Sequence, residues 1–305
     1  MHATARRPPM ITNAIFGEAS GRLGNQLFQL GLLFAIRERR GHEFYLPHAG
    51  ESLWGCFDLD VPSAGPECHG VFHETYGSCN YDARVFEQPD GTSFHGYFQS
   101  YRYLQSCRDD LVRFLRFSSD QRAWSEALLF AYRRRHGRRP LISLHVRRGD
   151  YVQPGYEDVW GNLAADGYYG RAVASLGDDV TYLVFSDDIA WCRESLEFDR
   201  VEFDRVEFVD VDHGTSLAVM AGCDVNIVAN SSFSWWGAYL NPAADVYAPS
   251  RWFGPAMPPP NDRQEDIVPP TWRTIPVFGD ALPASRSLDA RGRPSLRLRD
   301  GESAQ

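Results

Sequence analysis

The sequence contains no lysine, so all 31 of its basic side chains are arginine. That absence excludes a P-loop built on a phosphate-binding lysine and a Schiff base formed by a lysine amine. Any phosphate must be held by arginine, by backbone N–H groups or by a metal. The six cysteines, Cys56, Cys68, Cys79, Cys107, Cys192 and Cys223, include no C-x-x-C pair and no zinc spacing. Dispersed thiols of this kind point to a reducing compartment. No apolar run approaches the length of a membrane span, and the stretch from Met1 to Pro9 lacks the apolar core of a signal peptide. A cytoplasmic protein with a short disordered start is expected. An excess of positive charge is missing too: the formal net charge is -9, which makes nucleic acid an unfavourable partner.

What remains is a soluble globular composition in a chain of 305 residues, long enough for two compact cores. The expected division is an N-terminal unit over 13–138, a C-terminal unit over 139–276 and a disordered tail over 277–305, rich in Pro, Ser, Gly and Arg. The boundary is drawn where a basic run ends at Pro140, directly before the apolar stretch Leu141 to Val146. That stretch reads as a buried strand, and Arg147, Arg148, Gly149 and Asp150 follow it. Ligands of open α/β sheets bind just beyond strand carboxyl ends. Paired guanidinium forks there suit a diphosphate, and Gly149 lets a ligand approach the backbone.

Strand and helix signals alternate from this point, which predicts a parallel sheet. Val180 to Phe185 is a second buried strand, with Ser186, Asp187 and Asp188 at its end. A carboxylate at that place can accept from the N1–H and amino group of a guanine, or it can cap the next helix, Ile189 to Leu196. Phe198 to Glu202 is repeated as Phe203 to Glu207, a local duplication that lengthens a loop or a strand edge. Asp210-Val211-Asp212 has the D-x-D pattern of metal-dependent sugar transferases. Val225 to Ala229 is a third buried strand, and Asn230-Ser231-Ser232-Phe233-Ser234 follows it where a helix begins, so hydroxyl and backbone donors can converge on an anion.

Earlier in the chain, Ala14-Ile15-Phe16 reads as a short strand, followed by a glycine-rich turn. A helical stripe then runs from Leu27 to a C-terminal stop at Gly41. That turn can cradle a ligand or serve tight packing. Phe94 to Ser100 reads as a strand, Arg108 to His136 as a helical run, and 47–93 as loops.

Three strand ends thus carry H-V-R-R-G-D, S-D-D and N-S-S-F-S-W-W, the disposition of a nucleotide diphosphate site. In order, the chain shows G-R-L-G-N-Q-L-F-Q (21–29), G-Y-F-Q-S (96–100), H-V-R-R-G-D-Y (145–151), F-S-D-D (185–188), N-S-S-F-S-W-W-G-A-Y-L-N (230–241) and A-P-S-R-W-F (248–253). These motifs resemble the glycosyltransferase family 11 α-1,2-fucosyltransferases over 15–276. Where the family commonly has two adjacent glycines, this chain has Gly21-Arg22-Leu23-Gly24, which bears on the shape of the acceptor-side loop.

The resemblance implies an α/β, GT-B-like architecture of two Rossmann-type halves, with the donor site at strand carboxyl ends. It implies a GDP-β-L-fucose donor, a galactose-containing oligosaccharide acceptor, inversion to an α-1,2-fucoside and no cofactor or required metal. By the same resemblance His145 and one of Asp187 or Asp188 contact guanosine. Arg147 and Arg148 clamp the diphosphate, Ser231, Ser232 and Ser234 support it, and Gly24, Asn25 and Gln26 form the acceptor-side loop. Arg148 is expected to stabilise the leaving group, and Asp150 either takes the acceptor proton or orients the arginines. The five arginines between 286 and 299 offer a peripheral contact with an anionic membrane carrying a lipid-linked acceptor. Two other classes fit parts of the sequence. One is a GT-A-type transferase holding a metal on Asp210 and Asp212; the other is a nucleotide-sugar-binding protein without turnover.

Overall fold

The computed structural model describes residues 9–14, 21–47, 51–75, 77–196 and 203–280. The start expected to be disordered, part of the first expected strand, the first copy of the duplication and most of the expected tail lie outside these residues. Among the described residues the strands form two sheets, and every strand pairing in them is parallel.

The smaller sheet has the order β1 (Thr12–Asn13), β3 (Thr92–His95), β2 (Gly70–His73). β2 lies in the region expected to be loops. It is only four residues long, with Phe72 turned inward and Val71 outward, too short for a clear alternating signal. Phe44 to Leu46 contributes only an isolated bridge from Phe44 to Ile11. The expected strand from Phe94 to Ser100 stops at His95, because Phe98 takes a left-handed φ of 53° and the chain turns away. Against this sheet pack α1 (Leu23–Arg40), α2 (Glu51–Cys56), α3 (Tyr101–Leu104) and α4 (Arg108–Phe114). Gly41, left-handed at φ 73°, stops α1 as expected, and its N–H donates to Arg37 O at 2.7 Å. The helical run expected from Arg108 to His136 breaks after α4. Phe117 pairs with Phe57 in a short bridge and stacks on its ring at 4.8 Å, so α5 (Ser119–His136) starts afresh.

The larger sheet has the order β6 (Val206–Phe208), β5 (Thr181–Ser186), β4 (Leu141–Val146), β7 (Val225–Ile227), β8 (Asp245–Pro249), β9 (Arg273–Ile275). Numbered within the sheet this is 3-2-1-4-5-6, so the order reverses between β4 and β7. β4 is buried along its whole length, as a central parallel strand requires. α6 (Tyr168–Ala174), α7 (Ile189–Ser195), α8 (His213–Ala221) and α9 (Ser232–Tyr239) complete the layers. The second copy of the duplication forms a short 3-10 turn and the edge strand β6.

The division at 138/139 cuts across packing. Leu128, Leu129 and Tyr132 of α5 pack with the larger sheet's core, while Trp235, Trp236, Trp252 and Ile267 sit in the core of the smaller sheet. The start of the expected tail is also packed: Val277 is buried, and the Phe278 N–H donates to Asp166 at 2.8 Å. Among the described residues no helix is long and apolar enough to cross a membrane.

Candidate active site

A cleft of about 1120 Å³ opens where the carboxyl ends of the two sheets face each other. On the larger-sheet wall the chain leaves β4 through His145 and Arg147. The Arg147 guanidinium donates to Asp187 Oδ2 at 2.7 Å and also to the Asp150 carboxylate. Asp187 further accepts the Arg148 backbone N–H at 2.9 Å. Gly149 makes this possible. A Cβ there would lie 2.5 Å from Asp187 Oδ2, and φ is 35°. The glycine therefore admits the Asp187 carboxylate over the backbone, where the sequence suggested room for a ligand. Tyr151 braces the same loop, its hydroxyl donating to Asn230 O at 3.0 Å and its ring stacked on Trp160 at 5.7 Å.

His145 is buried, and its Nδ1 has no hydrogen-bond partner among the described residues. Burial, helped by the neighbouring Arg147 charge, pushes its pKa down to about 3, so the imidazole is neutral. Its ring lies 5.6 Å from that of Phe233. Asp210 also lines the cleft, with no side-chain partner among the described residues.

Beyond β7, Ser231 stands at the N-cap of α9, yet its side chain makes no capping bond. The amides of the first helical turn therefore lack a side-chain cap where Ser231 and Ser232 line the cleft. α1 reaches this point from the other half. A Cβ on Gly24 would lie 2.5 Å from the Ser232 carbonyl carbon, so only glycine allows the two helices to meet here. Asn25 Oδ1 accepts from Ser232 Oγ and from Gln99 Nε2, each at 2.7 Å. Gln26 is buried, its side chain donating to Gly21 O at 3.2 Å.

The smaller-sheet wall carries Glu74, directly after β2. Its carboxylate accepts the N–H groups of Tyr97 and Phe98 at 2.9 and 2.8 Å. Burial pushes its pKa up to about 7 despite those two donors. His95, beside it at the end of β3, packs its ring 4.8 Å from His73. Its pKa is lowered by burial and by that second imidazole.

The structure thus brings Gly24, Asn25, Gln26, His145, Arg147, Asp150, Asp187, Ser231 and Ser232 to one cleft. It does not bring Arg148, Asp188 or Ser234 there. Arg148 turns to the other side of β4, 3.6 Å over the Trp191 ring and bonded to Asp188 at 3.2 Å, and lines a separate pocket. Asp188 caps α7 through the Trp191 N–H at 3.1 Å. Ser234 is buried, its hydroxyl accepting the Ala229 N–H at 3.2 Å. Asp212 is committed as well, accepting from the Thr215 N–H at 3.0 Å and the Thr215 hydroxyl at 2.5 Å at the start of α8. Among the described residues no group of three or more His, Cys, Asp or Glu side chains is arranged to hold a metal. Sequence reasoning missed Glu74, Gln99 and Trp160. Glu74 lies in the stretch 47–93 that reads as loops, and nothing in the sequence singles it out.

A parallel sheet whose order reverses at an arginine and an uncapped helix start, facing a second parallel sheet across a cleft, defines a GT-B-like α/β protein. The profile of glycosyl transferase family 11 matches residues 72–274, and the chain belongs to that family. It is 27% identical over 187 residues to the O-antigen biosynthesis glycosyltransferase WbnK of Escherichia coli, covering 60% of each chain. It is 28% identical over 249 residues to galactoside alpha-(1,2)-fucosyltransferase 2 of Oryctolagus cuniculus, covering 75% of this chain and 67% of that one. An alpha-1,2-colitosyltransferase of Escherichia coli is 26% identical over 279 residues, covering 78% of this chain and 92% of that one. The match thus spans less than two thirds of WbnK's length.

Proposed function

We propose that the chain is an inverting glycosyltransferase that moves L-fucose from GDP-β-L-fucose to the 2-hydroxyl of a galactoside. The observation that carries this reading is that Arg147 and the uncapped start of α9 line one cleft at the reversal of strand order. When the bond from the anomeric carbon to the β-phosphate oxygen breaks, its electron pair stays on GDP. Arg147, pre-oriented by Asp187 and Asp150, and the first amides of α9 face that growing charge without having to reorganise. The acceptor oxygen attacks the opposite face of the anomeric carbon and gives up its proton to a base.

Asp150 is bound to Arg147, which favours the orienting role for it. Glu74, with a pKa near neutrality, suits the base. Asp187 is held by Arg147 and the Arg148 N–H, while Asp210, with no side-chain partner among the described residues, lines the same cleft and is the less committed acceptor for a guanine N1–H and amino group. The mechanism assigns no step to a metal, and Asp212 is engaged in capping. A lipid-linked glycan is a fitting acceptor, with the arginines between 286 and 299 meeting an anionic surface.

Mass spectrometry of a galactoside panel incubated with GDP-fucose or GDP-colitose, with and without EDTA, tests the reading. A fucosylated galactoside formed in EDTA is expected. GDP binding without turnover, strict metal dependence, or transfer from GDP-colitose alone would overturn it.

A further inference from the structure

α5 has two faces of different origin. Ser125, Leu128, Leu129 and Tyr132 turn inward toward the larger sheet. The opposite face should be polar on a solvent-facing helix. Instead Ala123, Trp124, Ala127, Phe130 and Ala131 are all exposed, Trp124 at 65% and Phe130 at 68%. At 100° per residue they form one stripe, with exposed Asp120 at one end and exposed Arg134 at the other. The other arginines of the helix are spoken for: Arg122 faces Asp58, Arg133 pairs with Asp224, and Arg135 with Glu207. Neither Asp120 nor Arg134 has an ion-pair partner among the described residues. Contiguous exposed apolar surface of this kind marks an interaction site.

The stripe is complementary to itself. If two copies of α5 run antiparallel about a twofold axis at Ala127, residues equidistant from Ala127 face each other. Asp120 then meets Arg134, Trp124 meets Phe130 and Ala123 meets Ala131, each twice, as a twofold interface requires. Alanine at the crossing allows helix axes to approach to ~8 Å. An anionic membrane fits less well, since Asp120 and Glu126 would face it and the chain's net charge is -9.

We propose that the outward face of α5 is the docking surface for a second copy of this chain. One helix pair lies at the small end of the range of specific interfaces, so the dimer dissociates in the micromolar range.

Sedimentation velocity of the full chain from ~1 to ~100 µM tests this across the dissociation range set by a small interface. The wild type should pass from monomer to dimer. Asp120→Arg and Arg134→Asp, each turning two attractive pairs into two repulsive ones, should each weaken the dimer about tenfold. The double variant Asp120→Arg/Arg134→Asp should restore it, and Ala127→Arg should abolish it. These positions are exposed, and circular dichroism checks that each variant stays folded. A wild type that stays monomeric, or a double variant that fails to recover, would overturn the proposal. So would co-sedimentation with phosphatidylglycerol vesicles that Asp120→Arg strengthens while the protein remains monomeric.

Discussion

On the larger-sheet wall of the cleft, Arg147, Asp187 and Ser231 each stand within a few residues of a strand end. Arg147 and Asp187 are bonded directly. On the smaller-sheet wall, Glu74, Gln99 and Asn25 come from distant parts of the chain, and Gln99 and Asn25 meet only through the fold. The proposed reaction asks different work of the two walls. A wall that stabilises developing charge must hold its donors rigidly, and short loops after adjacent parallel strands do so. The wall proposed to receive the acceptor draws on the end of β2, the loop after β3 and helix α1, and is tied by the backbone bonds to Glu74 and the bond from Gln99 to Asn25.

The largest effect should separate the two adjacent arginines that follow β4, one in the first wall and one outside the cleft. Arg147→Lys keeps a charge but loses the planar fork between Asp187 and Asp150, and kcat should fall about 10²- to 10³-fold at saturating donor. Arg148→Lys, which loses the stack on Trp191 outside the cleft, should cost roughly tenfold or less. Equal losses would erase the distinction between the two.

Next comes the second wall. Glu74→Gln should lower transfer to a galactoside by roughly 10²-fold. Azide, which needs no base, should still release GDP from the donor in that variant. In the wild type, kcat/KM should rise with pH through about 7 as Glu74 ionises. The buried Cys79 and Tyr103 near Glu74 have raised pKa values, and His95 a lowered one, so none of them supplies that limb. Loss of azide-dependent release in the variant would reduce Glu74 to a clamp on the loop after β3.

A smaller effect is expected in base recognition. Asp210→Asn should lose about tenfold in the preference for GDP over UDP, measured calorimetrically. An unchanged preference would return that role to Asp187.

The smallest contrast is in stability, where the two walls titrate in opposite senses. His145 has a folded pKa of about 3 against an ordinary 6.5, so its contribution is present above 6.5 and is lost as pH falls toward 3. Glu74 has a folded pKa of about 7 against an ordinary 4.5, so its contribution is present below 4.5 and is lost as pH rises toward 7. Urea unfolding between pH 4 and 8 should show a shallower acid loss in His145→Asn and a shallower loss from pH 4.5 to 7 in Glu74→Gln. Unchanged slopes in both would contradict these burial assignments.

The first wall was legible because its motifs are contiguous and begin where buried apolar runs such as Leu141 to Val146 end. Sequence shows two adjacent forks but not that they part after β4, Arg147 into the cleft and Arg148 over Trp191. At Gly149 the side chain lying over the backbone is Asp187, distant in sequence and so hidden in the same way. Glu74 left no mark, since a lone carboxylate after a four-residue strand looks like any surface glutamate. Its character comes from burial and from the backbone of Tyr97 and Phe98, both set by tertiary structure. The break after α4 was hidden likewise, because the pairing of Phe117 with Phe57 is long-range.

The most direct test is a crystal structure of the chain with GDP bound. The β-phosphate should lie within hydrogen-bond reach of Arg147 and the first amides of α9, with guanine toward His145 and Asp210. A diphosphate seated instead beside Arg148 and Trp191, on the other side of β4, would contradict the assignment of the cleft.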